Sequence, residues 1–122
     1  MSGKATKIEK GMKGQLEAER HLTGKGIKIL ERNYRLRSGE IDLIASEGEY
    51  ILFIEVKYRT GTSYGYPRES VNALKQQKIK KTALHYINFK KFSDDIGFRF
   101  DVVEIIDQDG VLETTHIENA FW

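Results

Sequence analysis

Two short polar patterns in this chain have the composition for hydrolytic chemistry: Glu40-Ile41-Asp42 and Glu55-Val56-Lys57. Paired carboxylates repel, and a divalent cation between them removes that cost. Mg²⁺, or Mn²⁺ in its place, takes oxygen ligands and keeps several waters; one or two protein carboxylates plus a substrate phosphate suffice to hold it. Such an ion polarises a phosphodiester and helps make hydroxide from water. A lysine two residues from a ligating acid projects from the same strand face, where it can steady the attacking water or the charge growing on phosphate. An ordinary cross-strand ion-pair set would use the same residue types, so the elements that carry them must decide.

Glu40-Ile41-Asp42-Leu43-Ile44-Ala45 and Tyr50-Ile51-Leu52-Phe53-Ile54-Glu55-Val56-Lys57-Tyr58-Arg59 both read as strands, joined around Gly48. A two-residue Gly48-Glu49 turn of type II′ sets Glu47 opposite Tyr50, Asp42 opposite Glu55 and Glu40 opposite Lys57. Period-two alternation then puts Glu40, Asp42, Glu55 and Lys57 on one face, and Ile41, Leu43, Leu52, Ile54 and Val56 on the other. A slip of one residue would separate Asp42 from Glu55. The second strand is apolar enough to be central in a sheet. Charges are costly there and call for a reason.

The segments Gly39-Glu40-Ile41-Asp42-Leu43-Ile44-Ala45 and Phe53-Ile54-Glu55-Val56-Lys57-Tyr58-Arg59 resemble the signature of the YraN-like bacterial family. That family belongs to the restriction-endonuclease-like PD-(D/E)XK superfamily and is similar to archaeal Holliday-junction resolvases. The resemblance continues in Arg32-Asn33-Tyr34-Arg35, in Lys75-Gln76-Gln77-Lys78 followed by Ala83, and in Arg99-Phe100-Asp101-Val102-Val103. It implies an α/β fold with an αβββαβ core, a central mixed sheet flanked by helices. It further implies an Mg²⁺- or Mn²⁺-dependent endonuclease acting on DNA, including structured or branched DNA. Asp42 and Glu55 match the metal-binding acids, Lys57 the catalytic lysine, and the Val56 carbonyl a further ligand. Glu40 matches a position close to the metal. Related resolvases act as dimers, so a homodimer is among the implied states. The family pattern usually has a glutamate where this chain has Gln15, whose amide can orient a water or touch phosphate but carries no charge. Glu17 and Glu19 stand nearby on different helix faces. A catalytically inactive nucleic-acid-binding module of the same fold is therefore the alternative reading, and a partner-binding scaffold a third.

The remaining chain supplies the elements around this hairpin. Ile8, Met12, Leu16 and Leu22 fall near one face of a helix from about Ile8 to Thr23, stopped by Gly24 and Gly26. Ile27 to Leu30 reads as a short strand. Ser70 is a candidate N-cap for a second helix from about Val71 to Phe89, with Ile79, Ala83, Tyr86 and Ile87 as its apolar stripe. Phe98 to Ile106 and Val111 to Ile117 read as strands around an Asp109-Gly110 turn. The order of helix, three strands, helix, two strands predicts a mixed sheet covered by helices.

The 122 residues suit one domain, 1–122. With no cysteine, disulfides, thiolate zinc sites and cysteine nucleophiles are excluded. No apolar run reads as a secretory signal or a membrane span, so a cytoplasmic protein without membrane contact is expected. The net charge of +2 hides an asymmetry. Residues 1–37 hold ten Lys/Arg and four Glu, residues 68–91 hold seven and one, and residues 92–122 hold one against eight acids. Such a chain can turn one positive face to a polyanion, although charge runs also simply solvate helices. Lys75, Lys78 and Lys81 recur at helical spacing and can follow a phosphate backbone; Arg59 joins them as a nucleic-acid contact. The 60–69 loop, with Tyr64, Tyr66 and Arg68, reads first as a connection and second as a clamp on bases. Asp101 reads as structural. His21, His85 and His116 are scattered surface or packing residues, and Trp122 packs on the body or at a dimer contact.

Overall fold

The computed structural model describes residues 7–61 and 71–121. Most of the 60–69 loop, with Tyr64, Tyr66 and Arg68, lies outside the described residues, as do Ser70 and Trp122. The elements run α1 (Lys7–Gly24), β1 (Lys28–Leu36), β2 (Gly39–Glu47), β3 (Tyr50–Thr60), α2 (Ala73–Lys90), β4 (Gly97–Gln108) and β5 (Val111–Phe121). The five strands form one open mixed sheet in sequence order, with β3 at its centre. Three neighbouring pairs are antiparallel; β3 and β4 are parallel, from Tyr50 beside Gly97 to Thr60 beside Asp107. A parallel neighbour needs a crossover, and the chain carrying α2 provides it. The expected αβββαβ order is present, with β5 added at one edge.

Each helix covers one sheet face. Ala18 and Leu22 of α1 pack with Leu43, Ala45, Leu52, Ile54, Val103 and Ile105. Ile79, Ala83 and Tyr86 of α2 pack with Ile41, Ile44, Ile51, Phe53, Val102 and Phe121. The alternation expected for β3 holds: Leu52 and Ile54 face α1, while Ile51 and Phe53 face α2. Each of these large side chains contributes about 1.5–3 kcal/mol by leaving water. Ile41 departs from the expectation and joins the α2 cluster instead of the Leu43 face.

The buried side of α1 also differs from the expected stripe. Ile8, Met12 and Leu16 are 75%, 61% and 65% exposed, whereas Gly14, Ala18 and Leu22 are buried. The cause is distance. A Cβ on Gly14 would come within 2.9 Å of the Tyr58 Cβ, so only small residues let this helix lie so near β3. Tyr58 and Lys13 both bond Asp107 of β4, tying the helix down at that end. The large apolar residues consequently fall on an adjoining, open face.

Local signals explain the ends. Asn72 rather than Ser70 caps α2: its side chain accepts from the Lys75 N–H at 2.9 Å. Lys91 closes the helix in the left-handed region. β1 runs longer than the Ile27–Leu30 reading because its outer half is an edge strand rich in charge, with a bulge between Ile29 and Glu31 that masks the alternation. Among the described residues no helix is long and apolar enough to cross a membrane.

Candidate active site

The β2–β3 hairpin has the register expected from its turn. Glu47 pairs Tyr50, Ser46 pairs Ile51, and the ladder continues through Leu43 beside Ile54. Gly48 has φ 58° and Glu49 is not left-handed, as a type II′ turn requires. Beyond Leu43–Ile54 the two strands part. β2 continues beside β1 alone, and β3 beside β4 alone. Asp42 is the first residue of β2 past that point. Its carboxyl accepts the Val56 N–H at 2.8 Å, filling the place a main-chain carbonyl would take.

Glu55 faces the α2 side of β3 and is 5% exposed. Asp42 and Glu55 lie within hydrogen-bonding reach of each other. Burial first, then the hydrogen bond with Glu55 and its charge, push the Asp42 carboxyl up to about 8, against the opposing pull of the Val56 N–H and the Lys75 ammonium. Burial and the neighbouring carboxyl thus favour the protonated form of Asp42. Lys57 Nζ lies 3.6 Å from Glu55 Oε2. Burial, then the neighbouring Lys75, pull the Lys57 ammonium below the usual lysine range, while Glu55 acts the other way.

The two acids and Lys57 thus meet where the hairpin opens. A cleft of about 920 Å³ reaches Asp42 and Lys57 from the α1 side, while Glu55 lies behind them, buried toward α2. Gln15, Glu19, Met12 and Leu16 line its helical wall; Glu40, Asp42, Val56, Lys57 and Tyr58 line its strand wall. Gln15 therefore stands at the cleft, on the same wall as Glu19. Glu19 is bonded to Arg32 at 2.8 Å, so its charge is already met. Because the ladder ends early, Glu40 does not pair Lys57 as the extended register would have it; it pairs Arg35 of β1 at 2.9 Å.

The basic residues divide. Lys75 enters the site from the first turn of α2 and bonds Glu55 directly. Spacing alone had suggested a phosphate contact; its partner on β3 is visible only in three dimensions. Burial lowers the Lys75 ammonium, but the contacts with Glu55 and Lys57 outweigh that and hold it above its usual range. Lys78 and Lys81 are exposed on α2. Arg59 is turned inward to Glu104 at 3.0 Å, with 15% of its side chain exposed.

The donor set at the parting of β2 and β3 suits a small hard cation. Two carboxyls share one spot, and residues in a strand direct N–H and C=O to the same side. The Val56 carbonyl therefore points toward β2, as its N–H does. Among the described residues no group of three or more His, Cys, Asp or Glu could hold a metal ion. Water and a substrate phosphate would have to complete the shell, which is the usual arrangement for Mg²⁺.

Elsewhere, Asp101 is structural. Fully buried, it bonds Arg99, the Asn119 N–H and His116 Nε2. His116 is accordingly a buried, partnered residue, its Nδ1 2.8 Å from Lys25 Nζ. Lys25 donates to Nδ1, so the ring proton sits on Nε2 and points at Asp101.

Comparison with known proteins places these residues in a family. The sequence model of "Uncharacterised protein family UPF0102" matches residues 15–105. A UPF0102 protein of Thermodesulfovibrio yellowstonii is 47% identical over 116 residues, covering 95% of this chain and 98% of the relative. One from Clostridioides difficile is 46% identical, covering 93% and 96%. Another from Clostridium tetani is 53% identical over 93 residues, or 76% and 75%. Asp42, Glu55, Lys57 and Lys75 all fall inside the matched region, and the chain belongs to uncharacterised family UPF0102, the YraN family.

Proposed function

We propose that this protein is a metal-dependent nuclease that hydrolyses DNA phosphodiester bonds, with structured or branched DNA among its substrates. The observation that supports this most directly is the pair of carboxyls, Asp42 and Glu55, in hydrogen-bonding reach, with Lys57 beside Glu55 and an open cleft lined by Asp42, Val56 and Lys57. Asp42, Glu55 and the Val56 carbonyl would hold Mg²⁺ or Mn²⁺. Bound there, the ion would polarise the phosphodiester and lower the pKa of a coordinated water. Lys57 orients the attacking water and offsets charge growing on the phosphate oxygens. Water adds to phosphorus, one P–O ester bond breaks, and the departing sugar oxygen takes a proton. Gln15, across the cleft, holds water or phosphate through its amide. Lys78 and Lys81 supply salt-sensitive contact with the backbone.

Fluorescent forks, junctions, flaps and single strands incubated with Mn²⁺ test this reading. The wild type cleaves at least one of them; Asp42→Asn and Lys57→Ala, folded by circular dichroism, do not. Equal cleavage by all three proteins would sink it.

One feature favours a second reading, a DNA-binding module without turnover: the neutral Gln15 stands at the cleft where the family usually has an acid. That protein would bind DNA with strong salt dependence and leave every substrate intact at any metal concentration.

A further inference from the structure

Lys75 is in an unexpected place for a helix residue. Asn72 caps α2, so Lys75 is the third residue of the first turn, where the helix dipole disfavours a cation and a glutamate is the common choice. No acid occupies that first turn to offset it. What holds the ammonium is Glu55, across on the central strand. Lys57 already sits 3.6 Å from the same carboxylate oxygen. Two ammoniums thus crowd one buried acid, and the second arrives from outside the hairpin.

We propose that Lys75 is a tethered stand-in for the divalent cation: it occupies the cation's place against Glu55 in the metal-free protein and swings out to a substrate phosphate when the ion binds. This rests on the metal-site reading above. With a dication bound both acids are ionised, and two carboxylates, two ammoniums and the ion then sum to +2 in a poorly solvated spot. Releasing Lys75 halves the excess, and one phosphate diester cancels the rest. Lys75 rather than Lys57 is the group able to leave. Its side chain is 43% exposed against 21% for Lys57, and it stands on the same helix as the solvent-facing Lys78 and Lys81. Lys57 is fixed on the central strand two residues from Glu55. Lys75 is on this account a positioning residue before the ion binds and a phosphate ligand afterwards.

The test is calorimetric titration with Mn²⁺ alone, without DNA, on the full chain at fixed pH and ionic strength. Lys75→Gln binds Mn²⁺ at least about tenfold more tightly than the wild type, because no tethered charge competes. Lys75→Arg, which keeps the charge, stays near the wild type. Lys91→Gln, exposed at the far end of α2, controls for a general loss of positive charge and leaves the affinity unchanged. Thermal melting gives the same answer independently: saturating Mn²⁺ raises the Tm of Lys75→Gln by more than that of the wild type. Equal or weaker Mn²⁺ binding by Lys75→Gln, with the wild type binding normally, overturns the stand-in role and leaves the metal site standing. An equal gain in affinity for Lys91→Gln overturns it too. Absence of Mn²⁺ uptake by both wild type and Lys75→Gln overturns the metal site and this proposal together.

Discussion

The Val56 N–H donates to the Asp42 carboxyl across 2.8 Å, at the point where β2 and β3 stop pairing. A side-chain acid has taken over from a main-chain carbonyl, so the fold itself pins one candidate ligand to the backbone of the residue between Glu55 and Lys57. Removing or neutralising Asp42 therefore touches both the local chemistry and the last rung of the hairpin.

Stability should reflect the Asp42 proton. Its folded carboxyl titrates at about 8 and its unfolded one near 3.8, so the native state holds the proton more tightly between those values. Unfolding free energy then falls as pH rises through that window and levels off above it. Urea denaturation in metal-free buffers from about pH 5 to about pH 9 should show that decline for the wild type and much less of it for Asp42→Asn. Parallel curves for the two proteins would contradict the assignment.

If the proposed hydrolysis holds, Lys57→Ala should lower Mn²⁺-dependent cleavage by at least about a hundredfold while leaving Mn²⁺ affinity undiminished, since that proposal has the lysine act on water and phosphate and not as a ligand. Single-turnover assays at saturating metal separate the two effects. A loss of cleavage fully restored by more metal would place Lys57 in ion binding instead.

Gly39 lies under α2. A Cβ there would meet Lys78 Cβ and Thr82 Oγ1, each at 3.2 Å, and its φ of 157° disfavours a side chain as well. Gly39→Ala should cost about 1–3 kcal/mol in denaturant unfolding. A neutral result would mean that α2 can lift from the start of β2 without penalty.

The buried Asp101 network is expected to matter for stability and not for the site. Asp101→Ala leaves Arg99 and His116 without their shared acceptor and should cost about 3–5 kcal/mol. Mn²⁺ affinity of the folded variant should match the wild type. A selective loss of metal binding would show that the network reaches the cleft.

On α1, the double change Met12→Ser with Leu16→Ser should shift stability by no more than about 0.5 kcal/mol, because both side chains are open to solvent. Leu22→Ala, from the covered side, should cost about 2–5 kcal/mol. Equal losses would indicate that the helix sits rotated about its axis.

Much of this was legible in the residues. Alternation plus one glycine turn gave the β2–β3 register down to Leu43–Ile54, and the apolar run around Glu55 marked the central strand. Period and caps fail where tertiary spacing takes over. Met12 and Leu16 look like core, yet Gly14 and Ala18 are covered, because closeness to Tyr58 selects for smallness instead of hydrophobicity. The Glu40–Lys57 pairing was an extrapolation past the point where the strands separate, and no local pattern announces that separation. Lys75 meeting Glu55, like Arg59 meeting Glu104, depends on packing between elements distant along the chain, which periodicity does not encode.

The parallel step beside β3 has a kinetic consequence. Each antiparallel pair closes through only two residues: Arg37-Ser38, Gly48-Glu49 or Asp109-Gly110. β3 and β4 meet only after the whole intervening crossover has been drawn in, and contacts so distant in sequence are the slow ones to form. Lys75 rides on that crossover. During refolding, the hairpin alone can bring Asp42, Glu55 and Lys57 together; Lys75 joins them only when the crossover docks, so the candidate site is completed late.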